Sequence, residues 1–273
     1  MLMAALCVLP LQVNAQGIVV NKTDGTKVYY KAEEVESIGV YGYGEEPESE
    51  TTFTVNGVSF TMVPVEGGTF QMGSDDGYNA NPVHPVKLSS FSIGQTEVTQ
   101  ELWEAVMGSN PSYFKGSKLP VESVSWNYCQ LFIAQLNQLT GKHFRLPTEA
   151  EWEFAARGGN NSKGYEYSGS DNIGAVAWYY ENSGVNTHEV AGKQPNELGL
   201  YDMSGNVREW CQDRYDSYYL LPIVTNPTGP TDGSYRVYRG GDCGYNAEDC
   251  RVSYRSRSAP ALADGRLGLR LAL

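Results

Sequence analysis

The chain has 273 residues, 41% of them hydrophobic, with a net charge of −12. That length supports one sizeable core and a small extra module, and the acidic balance argues against nucleic acid, whose phosphates need a basic face. The 30 glycines and 19 tyrosines point to turns and loops rather than a helical bundle.

Residues 1–15 read MLMAALCVLPLQVNA, an apolar run closed by the small-residue pattern Val13-Asn14-Ala15. This predicts a signal peptide with Gln16 as the mature start, although no Lys or Arg precedes the run. The run is too short to span a bilayer, and no later stretch is long and apolar enough. Leu6 before Cys7 is unlike a lipoprotein cleavage site. The reading is therefore an exported protein, periplasmic, cell-surface or extracellular, without a transmembrane segment. Cys129, Cys211, Cys243 and Cys250 then remain. In an oxidising compartment they allow three pairings. No Cys-x-x-Cys spacing suggests zinc, and His84, His143 and His188 are scattered.

Residues 17–44 read as a small β-rich segment. GIVVNK and KVYYK are strand-prone runs joined by Thr23-Asp24-Gly25-Thr26, a hairpin signal. AEEVES suggests one or two helical turns and IGVYGY a further strand. EEPESETT, residues 45–52, is an acidic linker. The main domain is expected over 53–273. It opens with short strand signals in FTVNGVSFTMVPVEGGTFQMGS and PVKLSSFSIG.

Three helices are predicted. The first covers about 99–107 and stops at Gly108. The second covers about 126–139, with Cys129, Phe132, Ile133 and Leu136 on one face, and stops at Gly141. The third follows Pro147, with Thr148 and Glu151 as a capping box and Gly158-Gly159 as its stop. Loops with aromatic anchors and isolated strands follow. Strands and helices do not alternate, so the expected class is α+β with much irregular structure. Trp103, Trp126, Trp152 and Trp210 are natural anchors for such a fold, and Arg145 is placed to pair with Glu151 or Glu153.

Several motifs fall in order: GGTFQMGS (67–74), TEVTQELWEAVMG (96–108), PVESVSWNYC (120–129), FRLPTEAEWEFAARGG (144–159), NELGLYDMSGNVREW (196–210) and YRGGDC with CRVSYRSR (238–257). Over about 220 residues this set resembles the formylglycine-generating-enzyme, or sulfatase-modifying-factor, family. The resemblance implies a distant variant of the C-type lectin fold. It also implies a structural calcium held by the side chains of Asp202 and Glu209 and the carbonyls of Gly205 and Val207. Short loops of carboxylates and carbonyls suit that hard cation. A second calcium loop would lie within 175–186.

The family's enzymes oxidise a substrate cysteine to formylglycine through copper(I) on two thiolates, and soft thiolates suit that metal. By this resemblance Cys250 holds the second thiolate position and would be the catalytic cysteine, but Tyr245 stands at the first. Cys243 lies two residues early, about 7 Å away along an extended chain. Asp242 stands where the enzymes carry a serine, and Arg208 where they carry a tryptophan. These departures predict a non-catalytic binding module, calcium-stabilised, for a carbohydrate, peptide or envelope partner. The alternative is a formylglycine-generating or altered oxidase using copper on sulfatase cysteines. Relatives that make sulfoxides with non-haem iron use a histidine cluster that this chain lacks. Other relatives display a varied C-terminal segment on a fixed scaffold. The tract 242–259 is rich in adaptable polar and aromatic residues. Arg208, Asp242, Cys243, Tyr245, Asn246, Tyr254 and Arg255 are accordingly the candidate ligand residues.

Overall fold

The computed structural model describes residues 11–14, 17–21, 27–31, 51–75, 80, 82–216 and 224–273. The chain divides into two compact units, Met1–Glu48 and Ser49–Leu273. In the first, β1 (Leu11–Asn14), β2 (Gly17–Asn21) and β3 (Lys27–Lys31) form an antiparallel sheet in that order. β1 falls inside the stretch read as a leader. β2 and β3 coincide with the two strand-prone runs, and Val20 pairs with Val28. The Thr23–Thr26 turn, the AEEVES turns, the IGVYGY strand and residues 45–50 of the linker lie outside the described residues.

The second unit begins with β4 (Thr52–Val55), so Thr52 belongs to a strand rather than to the linker. Asn56 and Gly57, both at positive φ, turn the chain into β5 (Val58–Val65). Asn-Gly is the favoured chemistry for that turn. β6 (Thr69–Met72), β7 (His84–Lys87) and β8 (Phe91–Gly94) follow. Then come α1 (Gln100–Met107), α2 (Trp126–Thr140) and α3 (Glu149–Ala156). Two single-turn helices are α4 (Ile173–Val176) and α5 (Tyr180–Ser183). The chain ends with β9 (Arg208–Arg214), β10 (Val224–Thr225), β11 (Arg236–Arg239), β12 (Arg255–Ser258) and β13 (Leu267–Leu269).

Each long helix starts and stops where its end residues satisfy orphan main-chain groups. Thr99 caps Leu102 N and Ser125 caps Tyr128 N, while Gly108 and Gly141 end their helices in the left-handed conformation. Thr148 and Glu151 make both bonds of the capping box. Glu151 also takes both terminal nitrogens of Arg145, at 2.6 and 2.7 Å. α2 buries Cys129, Phe132, Ile133 and Leu136, the expected face.

β12, β11, β9 and β13 form a four-stranded sheet in that order. The period of two along β9 divides the interior. Trp210 enters one core with Trp103, Phe132, Tyr238, Leu267 and Leu269. Cys211 enters the other with Trp152, Phe154, Met203 and Val237. The two faces of one strand thus join the helices to the loops. The mixed sheets and few helices make an α+β architecture. No helix of the described residues is long and apolar enough to cross a membrane.

Candidate functional site

β9 delivers Arg208 beside the loop that follows β11. There Arg208 Nε lies 2.7 Å from Asp242 Oδ2 in a buried ion pair, and its Nη2 donates to Asp264. The guanidinium sits 5.1 Å from the ring of Tyr238 and 5.2 Å from that of Tyr245. Tyr245 meets Tyr254 edge-on at 6.3 Å. Burial works against the charge on Arg208, but Asp242 and its other neighbours outweigh it and raise the pKa. Asp242 remains raised, because burial outweighs the lowering by Arg208. The expected charged pocket is therefore a closed ion pair framed by tyrosine rings.

The thiols are enclosed. Cys250 and Cys243 are both fully buried. Burial, followed by the charge of Asp242, raises the Cys250 thiol and pushes Cys243 up to about 12. Tyr245 is raised by burial and by its contact with Tyr238. A soft cation binds deprotonated sulfur. The matching positions here offer one buried thiol and one protonated phenol, so the residues do not fit a two-thiolate copper centre. Cys129, Cys211, Cys243 and Cys250 are all free.

The proposed ligand residues separate by depth. Tyr245 and Tyr254 are half-buried and Asn246 is exposed. Arg255 does not reach the surface: it is 2% exposed and grips Glu149 through two bonds of 2.6 and 2.7 Å. Its place in the ligand set is corrected, because Glu149 claims two of its nitrogens and the Asp216 carbonyl the third. Cys243 and Asp242 also face inward. Arg255 belongs to a network that sequence reasoning missed. Arg239 bridges Glu149 and Glu153, and Glu153 also holds Gly73 N and Arg157. Each acid lies in the RLPTEAEWE motif, but its partners are some 90 or more residues away for Arg239 and Arg255 on Glu149. No local pattern announces such pairs.

The loop between Asp202 and Glu209 is fixed by close main-chain approach. A Cβ on Gly205 would stand 2.3 Å from the carbonyl oxygen of Trp178, and φ there is +80°. Asp202 and Asn206 adopt positive φ as well, which these residue types tolerate. Asn206 Nδ2 and Val207 N both donate to Glu97, a buried acid with no part in the sequence reading. Burial and then the charges of Asp202 and Glu209 raise Glu97. Burial pushes Asp202 up to about 6. Glu209 is held differently: Arg270 and Trp152 Nε1 occupy both its oxygens, at 2.7 and 2.6 Å for the shortest contacts.

Three buried carboxylates thus face one guanidinium, Arg270. Asp202 Oδ2 accepts from Ala191 N, while Oδ1 is buried without a hydrogen-bond partner. An orphaned oxygen amid surplus negative charge suits a hard cation. Among the described residues no three His, Cys, Asp or Glu side chains converge as a metal centre. A cation here would rest first on the open oxygen of Asp202 and on main-chain carbonyls, hard donors that suit calcium, while Glu209 is already bonded by Arg270 and Trp152.

Comparison with known proteins agrees with this architecture. The model of the sulfatase-modifying factor enzyme 1-like domain matches residues 48–273. The chaperone protein LppX of Paenibacillus barcinonensis is 34% identical over 72% of this chain and 83% of its own length. The formylglycine-generating enzyme of Streptomyces coelicolor is 30% identical over 77% of this chain and 88% of its own. Among solved structures, Treponema denticola variable protein 1 shares 38% identity with a TM-score of 0.76, covering 81% of this chain and 97% of that one.

Proposed function

The chain belongs to the sulfatase-modifying factor enzyme 1-like family, and we propose that it is an exported, non-catalytic member that binds a carbohydrate, peptide or envelope partner on a calcium-stabilised scaffold. One observation supports the reading: Tyr245 stands at one of the two thiolate positions, Cys250 at the other is a buried thiol, and the Arg208–Asp242 ion pair closes the pocket beside them. Calcium, held by Asp202, Glu209 and the carbonyls of Gly205 and Val207, would supply structural charge compensation. The similarity to a chaperone and to a protein named as variable supports a binding role.

The test is copper(I) titration of the reduced protein beside an oxidation assay on a sulfatase-type cysteine peptide. No tight copper binding and no aldehyde are expected. The oxidase alternative would have to pair Cys250 with Cys243, both of them buried thiols. An aldehyde product that depends on Cys250 would establish it.

A further inference from the structure

The three-stranded sheet β10-β7-β6 turns one face inward. Met72, His84, Val86 and Val224 share that face, since Met72 pairs with His84 and Val86 with Val224. Between this face, the start of α3 and β9 lies a cavity of about 410 Å³, within the range of small-molecule sites. Met72, Val86, Ala150 and Val224 give it apolar walls. Glu149, Asp213 and Asp216 contribute three acidic residues, against the guanidinium of Arg255, which both oxygens of Glu149 engage. Arg214 borders the cavity too, but it follows Asp213 along β9 and pairs with Arg236, so its side chain belongs to the other face of the four-stranded sheet.

Asp213 is the acid left over. It is 3% exposed; Oδ2 accepts from Glu149 N at 2.9 Å, and Oδ1 takes no hydrogen bond among the described residues. Gly229 keeps that oxygen uncovered, for a Cβ there would stand 3.2 Å from it. The charged groups facing Asp213 are Glu149 and Glu151 on α3 and Arg255 on β12, with His84 and Asp216 along the cavity. Burial, and then the charge of Glu149, raises the carboxyl to about 8, so the free protein keeps its proton at neutral pH. A buried acid that stays neutral for want of a cation, beside apolar walls, suits an ammonium head on a hydrocarbon stem. The head makes a charge-assisted hydrogen bond to the carboxylate, and the stem leaves water for the walls. Those walls favour an organic cation over a bare metal ion.

We propose that this cavity binds a small organic ammonium ion, its head on Asp213 Oδ1 and its apolar stem against Met72, Val86 and Val224. As the ammonium enters, Asp213 gives its proton to solvent, so the bound state is an ion pair and one proton leaves per ligand. The site shares no lining residue with the Arg208–Tyr245 cluster and goes beyond the binding reading above.

The experiment is calorimetric titration of the full chain with n-pentylamine, and with n-pentanol alongside, from pH 6 to 8.5 at constant ionic strength. The amine stays charged throughout, its pKa lying near that of lysine at about 10.4. The free protein holds the proton below about 8 and the complex does not, so affinity should rise roughly tenfold per pH unit from 6 to 7.5 and level off above 8. Titrations at pH 6.5 in buffers of different ionisation heat should show close to one proton released per amine bound. Pentanol should bind at least tenfold more weakly than the amine at pH 8. Asp213→Asn should lose at least tenfold in amine affinity at pH 8, a change of about 1.4 kcal/mol or more, together with the pH slope. Its melting curve reports that it is folded. Failure of pentylamine to bind, pentanol binding as tightly, an affinity indifferent to pH, or unchanged binding by Asp213→Asn would overturn the proposal.

Discussion

Asp213→Asn should stabilise this protein, increasingly so as pH rises towards 8. Asp213 lies on β9, 3% exposed, with Oδ2 accepting from Glu149 N at 2.9 Å. Burial, followed by the charge of Glu149, raises its carboxyl from 3.8 to about 8. The folded chain therefore keeps the proton at neutral pH while the unfolded chain releases it. The unfolded state then binds fewer protons, so stability falls as pH rises between those two values. The cost is absent below the unfolded value, grows by up to about 1.4 kcal/mol per pH unit, and is complete above the folded one. The full shift would amount to roughly 6 kcal/mol, and relaxation around the site makes about 2–4 kcal/mol the expected range at pH 8. Asparagine retains an acceptor for Glu149 N and has no proton to lose. Urea unfolding of both proteins at pH 5, 6.5 and 8 measures the effect. The gap should widen in favour of the variant with pH. Parallel stabilities across that range would refute the argument, because a neutral-to-neutral exchange carries no such slope.

Four further outcomes are expected. Arg270→Met leaves Glu209 buried without its cation and should cost about 3–5 kcal/mol in urea unfolding with chelator present. Gly205→Ala, with its Cβ driven into the Trp178 carbonyl at positive φ, should cost about 3 kcal/mol or prevent folding, read by thermal melts. Chelation should lower the melting temperature of the wild-type protein, and Asp202→Ala should abolish that response; a wild-type melt indifferent to chelator and to added calcium would count against the cation. Tyr245→Cys should raise copper(I) affinity in a competition titration, yet peptide oxidation should stay low because the Arg208–Asp242 pair still fills the pocket.

The three helices were legible because their determinants are local. The caps Thr99, Ser125 and Thr148 and the stops Gly108 and Gly141 act within a turn of the helix they bound. The same holds for the apolar face of α2. The family, too, was written in ordered motifs, and Tyr245, Asp242 and Arg208 marked the departures from its catalytic pattern. Apart from Arg145 and Glu151, what the sequence left open was the partner of each buried charged group. Arg255 read as a surface ligand residue until the fold placed it against Glu149, 106 positions away. Glu97 carried no signal, yet it binds the Asn206-Val207 turn across more than 100 residues. Cys243 and Cys250 were thiols in a polar tract, and only packing made them inert. Conversely, Arg214 and Arg236 lie on different strands, and only strand register sets these like charges opposite each other. The physical reason is the range of the forces. Capping and turn chemistry act between neighbours along the chain. Desolvation and charge pairing depend on what the tertiary fold brings within a few ångströms, and in this loop-rich α+β fold that is decided by contacts between distant segments.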